Sequence, residues 1–403
     1  MVRRRQPVDL GAPLTVRCSR RIDSLPPYAF AELDRLRDER AAQGVDVIDF
    51  GVGDPTDPTP DNVVEAAVKS LREDRCSGYP SYIGGAPYRA AVAEWIERRY
   101  GVRLDPATSV SSTVGSKEAV FHAAEAFVDP GDWVLAPSPG YPPYVRGAQF
   151  AEGRCEPYAV TLSGPALPDL ESLPDEVGER LRLVWITQPH VPTGRAASLP
   201  ELQRLLAQVR ERDALLCSDE AYSELWMDRP APSALQAGVE NVLVFQSLSK
   251  RAAMTGYRVG FVAGDPRAVA AFRRLKTNID SGTPNFVQAA AIAALADEEA
   301  PARSRERYRQ RAEVMVAALR EAGCAVETPG AGFYLWAATP RGEPGVEFAR
   351  RLLLGPGLAV MPGEWLAEPL RGGGHPGAGH VRLALVPSLE RCREAAARLL
   401  DRS

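Results

Sequence analysis

Ser247-Leu-Ser-Lys-Arg-Ala-Ala-Met-Thr-Gly-Tyr-Arg258 follows directly on an apolar run at 242–245. Short apolar runs bounded by turn residues read as buried strands. In an α/β sheet, ligands bind just beyond the carboxyl ends of such strands. The segment therefore offers Ser247, Lys250 and, eight residues further on, Arg258 at one strand end. Hydroxyls with an arginine suit a phosphate. A lysine beside other cations has its ammonium form disfavoured and can condense with an aldehyde.

Similar apolar runs lie at 133–136, 183–186, 214–217 and 259–263, with helical patterns between them from about residue 60 to 265. The alternation predicts an α/β fold with a mostly parallel central sheet and helices on both faces. Thr59-Pro60-Asp61 reads as a helix start with Pro at the first helical position, and Val64, Ala67, Val68 and Leu71 follow at helical spacing. Tyr88, Val92, Trp95 and Ile96 repeat that spacing until Gly101 stops it. After Glu299 the pattern changes. A helix over 304–322 and strands near 333–337 and 381–386 predict a second, smaller α/β unit, which a strand at 46–50 would join. The expected division is 1–58 for an arm and part of the small unit, 59–299 for the large unit and 300–403 for the rest of the small one. The Gly-rich stretch 371–379 reads as a loop.

Composition narrows the function classes. A net charge of -4 and a pI near 5.8 argue against a nucleic-acid or anionic-membrane partner, since both demand a basic face. No apolar run is long enough to span a membrane. The basic start Met1-Val-Arg-Arg-Arg-Gln is followed by no apolar core of a signal peptide. Six scattered cysteines (Cys18, Cys76, Cys155, Cys217, Cys324, Cys392) read as reduced thiols of a cytoplasmic protein. With only His122, His190, His375 and His380 beside them, no metal site is expected.

Two further strand ends carry chemistry. Gly115-Ser116-Lys117 precedes a helical pattern, where backbone N–H groups can hold a phosphate. Asp219-Glu-Ala-Tyr222 follows the run ending at Cys217, and a buried Asp219 could keep a pyridine nitrogen protonated. Singly, each signal is ordinary: Asp219 could be a helix N-cap, Gly115-Ser116 a turn, and Lys250 a surface residue. Order and spacing together are specific, and suit one cofactor that carries a phosphate, a pyridine nitrogen and an aldehyde.

The lysine segment resembles the signature of the class I/II aminotransferases, which are pyridoxal-phosphate enzymes of fold type I. Ser24-Leu-Pro-Pro-Tyr28, Gly51-Val-Gly-Asp-Pro55, Tyr79-Pro-Ser-Tyr82, Pro139-Gly-Tyr141, Pro192-Thr-Gly194, Asn278-Ile-Asp-Ser-Gly282 and Val381-Arg382 extend the likeness along nearly the whole chain. The nearest likeness is to the LL-diaminopimelate aminotransferases. The resemblance implies that Lys250 bonds to the cofactor aldehyde and shuttles the proton. Asp219 would pair with the pyridine nitrogen, Tyr222 would donate to the phenolic oxygen, and Tyr141 would stack on the ring. Gly115, Ser116, Lys117, Ser247 and Arg258 would surround the phosphate, with Tyr79 reaching it from a partner subunit of a homodimer. Arg382 would clamp the carboxylate of a small amino acid, Gly53 would offer a backbone contact, and the Ser281 loop would cross to the partner's site.

The chain departs from the family in Gln188-Pro-His-Val-Pro-Thr-Gly194. The family places Asn before Pro-Thr-Gly, where its amide donates to the phenolic oxygen. Val191 cannot donate, so water or His190 would have to take over. Arg195 and Arg251 are further departures, each expected to face solvent or, alternatively, to meet an additional anionic substrate. The leading expectation is amino-group exchange with a 2-oxo acid. Val191 favours the alternative, a γ-elimination, replacement or annulation on an amino acid such as S-adenosylmethionine, or an oxidative reaction. A non-catalytic regulator is disfavoured because Lys250, Asp219, Tyr222 and Arg382 are all present.

Overall fold

The structure, a computed structural model, describes residues 17–25, 31–75 and 78–401. Met1–Gln6, Cys76 and the Pro-Pro-Tyr28 end of the first motif lie outside them. Strand β1 is Ile48–Asp49. The central sheet is built from β2 (Val110–Thr113), β3 (Trp133–Ser138), β4 (Arg154–Ala159), β5 (Leu181–Thr187), β6 (Leu215–Asp219), β7 (Val242–Ser247) and β8 (Gly260–Gly264). There follow β9 (Ala325–Val326), β10 (Tyr334–Ala338), β11 (Leu358–Ala359), β12 (Met361–Pro362) and β13 (His380–Ala384).

The central order is β2-β8-β7-β6-β5-β3-β4. Pairs from β7 across to β4 are parallel, whereas β8 runs antiparallel to both β7 and β2. The mostly parallel sheet is as expected, but the run at 259–263 is its one reversed strand. Its direction follows from the short connection: Ser247 pairs with Gly260, so the chain turns straight back on itself. Two strands carried no apolar signal. Val110-Ser-Ser-Thr113 is buried yet mostly hydroxylic, and Arg154–Ala159 is an edge strand containing Pro157, which only an edge tolerates.

Layers of helix cover both faces. On one side Tyr88, Val92, Trp95 and Ile96 pack with Val184, Val244 and Phe261; on the other, Ala119, Val120 and Ala123 pack with Val134, Trp185 and Phe245. Gly101 closes the helix Ala86–Tyr100 in the left-handed region, φ 71°. The helix at Asp61–Glu73 starts one residue later than its reading, with Pro60 at the cap position. Thr59 does not cap it but donates to the carbonyl of Ala253 at 2.8 Å. Val63 and Ala67 face inward, and Val64, Val68 and Leu71 form an exposed apolar stripe.

Strand β1 pairs with β11, and Ala384 N–H donates to Phe50 O at 2.7 Å, so the early segment joins the C-terminal elements. β12-β13-β10-β9 make an antiparallel sheet. Ile48, Phe50, Tyr308, Phe333, Leu383 and Leu385 share one core there. The long helix begins at Glu299, earlier than expected, because the Asp297 carboxylate accepts from the N–H groups of Glu299 and Ala300. Residues 371–379 are a loop.

Neither anomalous arginine points to solvent. Arg195 is half-buried and donates to the carbonyls of Thr161 and Gly164. Arg251 is 3% exposed. It pairs with Glu224 and Glu298, donates to the carbonyls of Ala294 and Asp297 at 3.2 and 2.7 Å, and lies over the ring of Trp95. The guanidinium thus closes the end of the helix Asn285–Ala296, a role no short helix pattern announces. Breaking a buried pair on one side strands a charge. Arg251→Met should therefore lower unfolding free energy by about 3–5 kcal/mol in a urea titration. A loss below about 1 kcal/mol would show that the network is not structural.

Candidate active site

β3, β5, β6 and β7 end at one edge of the sheet, and the chain's chemistry gathers there in a cavity of ≈ 290 Å³. Asp219 ends β6, and Ser247 ends β7 and opens the short helix Leu248–Arg251 that carries Lys250. Gly53, Ser116, Lys117, Tyr141, Val191, Asp219, Tyr222, Ser247, Lys250, Arg258 and Arg382 all line it. A larger open groove of ≈ 700 Å³ beside Pro58–Asn62 and Asp297–Ala300 gathers none of the residues given a cofactor or substrate role from the sequence.

Lys250 Nζ donates to Gly53 O at 2.6 Å and lies 5.5 Å from the centre of the Phe333 ring. Burial pushes its pKa down to about 8, opposed by Asp54 and assisted by Arg258 and Arg382. Neighbouring cations matter here, as expected, but desolvation is the larger cause. Asp219 is buried; its carboxylate accepts from the Tyr144 hydroxyl at 2.8 Å and from Ala221 N–H at 3.2 Å. Burial raises its pKa, with those two bonds pulling the other way.

Gly115 has φ +76°, and a Cβ there would overlap the Arg258 guanidinium. It thus brings the arginine onto the start of the helix Ser116–Phe127, although Gly115 itself does not line the cavity. The first turn of that helix has free N–H groups by geometry, so hydroxyls, amides and a cation converge as an anion requires. Arg382 donates to Gly51 O at 2.7 Å, lies 4.5 Å from the centre of the Tyr334 ring and keeps a buried Nε without a partner.

Two residues are not brought in. Tyr79 is 87% exposed and Ser281 is also exposed, and neither lines the cavity. Their loops abut, since a Cβ on Gly282 would overlap Ser81 O. His190 is turned away as well. It is buried, with Nε2 donating to Pro139 O at 3.0 Å and Nδ1 accepting from Thr193 at 2.8 Å. Burial lowers its pKa to about 4. With both nitrogens engaged, it cannot replace an amide at Val191. Sequence reasoning missed Tyr144, Thr187 and Tyr334. Tyr144 OH also lies 3.1 Å from Thr187 Oγ1, and Tyr334 OH lies 3.0 Å from Tyr222 OH. Nothing in their sequence spacing marks them.

Residues 45–399 match the family model Aminotransferase class I and II. The chain belongs to this family. As an aminotransferase of class I and II it is an enzyme that uses pyridoxal 5'-phosphate, as its motifs implied. It is 43% identical over 388 residues to the LL-diaminopimelate aminotransferase of Aquifex aeolicus, covering 94% of this chain and 98% of the relative. The LL-diaminopimelate aminotransferase of Desulforudis audaxviator is 43% identical over 386 residues, covering 94% and 96%. Among solved structures, an aspartate aminotransferase variant of Thermus thermophilus superposes with a TM-score of 0.87 at 29% identity, covering 95% and 98%. Substrate-bound BacF of Bacillus subtilis gives 0.89 at 28%, covering 96% and 98%. The aminotransferase fold of the chain, fold type I, is the one its resemblance implied.

The cavity fits this cofactor. It holds a buried amine, a buried carboxylate with no cationic partner among the described residues, and a helix start where Gly115, at φ +76°, lies against the Arg258 guanidinium. Only a neutral amine attacks an aldehyde. The rate at which cofactor-free protein takes up pyridoxal phosphate should therefore rise about tenfold per pH unit and level off above about pH 8. Visible absorbance follows this uptake, and Lys250→Ala should abolish it. A rate still climbing towards 10.5, the ordinary lysine value, would contradict the burial of Lys250.

Proposed function

We propose that this aminotransferase moves the amino group of LL-diaminopimelate to a 2-oxo acid, using a site shared between two copies of the chain. The identity of 43% along nearly the whole chain to enzymes of that name carries the substrate reading. The cofactor, when bound, supplies an aldehyde that condenses with amines and a ring that draws electrons from the substrate. Arg382 binds the α-carboxylate through its forked N–H groups and thereby orients the Cα–H bond. Lys250, freed from its bond to Gly53, moves the proton at that carbon. Asp219 holds the proton on the ring nitrogen, where burial makes its charge count for more. Ser116, Ser247 and Arg258 hold the phosphate.

The homodimer belongs to the same reading. The exposed apolar stripe of Val64, Val68 and Leu71, together with exposed Tyr79, Tyr82 and Ile279, supports a covering copy. On this reading Tyr79 and Ser281 serve the partner's site. The division into 1–58, 59–299 and 300–403 is proposed with it, supported by the pairing of β1 with β11. A cytoplasmic location is likewise proposed, supported by free Cys18, Cys155, Cys217, Cys324 and Cys392.

Val191 on the cavity wall supports a second reading, diverted chemistry such as γ-elimination. One experiment separates the two. Incubation with LL-diaminopimelate and a 2-oxo acid should yield equal amounts of a new amino acid and a new oxo acid by mass spectrometry. Release of a γ-substituent or ammonia from another amino acid, with no exchange, would favour the second. Arg382→Ala should raise KM by roughly 10- to 150-fold, the equivalent of about 1.5–3 kcal/mol for a lost bond to a charged group. Unchanged KM with lost cofactor would place Arg382 at the phosphate instead.

A further inference from the structure

Val191 removes a hydrogen-bond donor from the cavity wall beside Tyr222. The point a Cβ of Gly332 would occupy is 4.0 Å both from a Tyr222 ring carbon and from a Val191 methyl, so the two side chains flank one corner. What Tyr222 meets instead is Tyr334, whose hydroxyl is 3.0 Å from its own. Tyr334 is 5% exposed, and position 53 must be glycine to admit its hydroxyl.

A hydroxyl has one hydrogen. If Tyr222 donates to Tyr334, it turns only lone pairs towards the cavity. If Tyr334 donates, the Tyr222 hydrogen is free to point inward. An anionic oxygen bound in the cavity decides between these: it takes the Tyr222 hydrogen, and within the pair Tyr334 is then left to donate. The hydrogen then runs from Tyr334 to Tyr222, and that of Tyr222 into the cavity. Chains of this kind strengthen each of their bonds.

We propose that Tyr334 is a positioning residue: by donating to Tyr222 it aims the Tyr222 hydroxyl at the phenolic oxygen of the cofactor and compensates for the donor that Val191 lacks. This rests on the cofactor site described above. The groups that face this pair are Arg382 on β13, Asp219 at the end of β6, Lys250 after β7, Tyr141 after β3, Tyr308 on the long helix and, near Lys250, Asp54. Only Arg382 is a fixed cation among them. Burial first, and Tyr334 second, hold the Tyr222 pKa well above that of an ordinary tyrosine. Tyr222 therefore stays a donor across the working pH range.

The test is a pH titration of visible absorbance on the cofactor-loaded protein. Donors to the phenolic oxygen stabilise its anion and so lower the pH at which the lysine-linked nitrogen loses its proton. Tyr334→Phe keeps the ring, its packing on Phe333 and its contact with Arg382, and deletes only the hydroxyl. The midpoint should rise by roughly half a pH unit to one unit. Melting temperature of the cofactor-free protein should change little. Adding Val191→Asn to Tyr334→Phe supplies an amide donor and should return the midpoint towards wild type. An unshifted midpoint in Tyr334→Phe, or a shift that Val191→Asn leaves untouched, overturns the inference. A wild-type protein with no titrating visible band would sink the Lys250 site itself, a distinguishable failure.

Discussion

The carbonyl oxygens of Gly51 and Gly53 hold the two cations around which the cavity is arranged. Lys250 reaches Gly53 at 2.6 Å from the edge of the central sheet, and Arg382 reaches Gly51 at 2.7 Å from the C-terminal sheet. One extended segment therefore ties both sheets to a common origin. Backbone oxygens suit this task because they carry no net charge. Each accepts a donor but leaves the cation's field intact for an anionic ligand. Glycine at 53 serves a second end, since any side chain would displace Tyr334. A displaced Tyr334 would in turn expose Arg382 on its ring face.

Electrostatic strain runs through the site in both directions. Burial depresses Lys250 and raises Asp219, so the fold by itself holds two groups away from their preferred states. A lysine with a lowered pKa weakens the folded state most fully below that value, near neutral pH and under it. Bonding to an aldehyde would replace the depressed ammonium by a less basic imine nitrogen. The carboxylate gains a partner when a protonated pyridine lies beside it. Loading the cofactor therefore relieves both burdens at once, and a marginal cavity becomes a complementary one.

Much of the site was legible because its chemistry lies on contiguous segments. Lys250 and Arg258 share one loop, Asp219 and Tyr222 another, and the turn at Gly115-Ser116 opens a helix as expected. What stayed hidden arrives across the fold. Tyr144 meets Asp219 from a separate helix, and Tyr334 meets Tyr222 from a different sheet. Periodicity also cannot say what covers an apolar face: Val64, Val68 and Leu71 fall at helical spacing yet lie exposed. Arg251 misled for the opposite reason. A guanidinium is buried at acceptable cost only when several acceptors converge, and Glu224 with the carbonyls of Ala294 and Asp297 come from distant sequence.

The reversal of β8 has a consequence for which lengths of chain this fold can accept. Ser247 and Gly260 face each other across an antiparallel pair, so everything between them is the loop of a single hairpin. Lys250 and Arg258 both belong to that loop. Their separation is bounded by a local ladder as well as by the contacts of Lys250 with Gly53 and of Arg258 with Gly115. Elsewhere, a surface connection can lengthen by several residues and leave the sheet undisturbed. Here an insertion would drive the amine and the guanidinium apart along a closed circuit with both ends pinned. Twelve residues, 248–259, thus act as a gauge of fixed span, as intolerant of lengthening as a strand in the core.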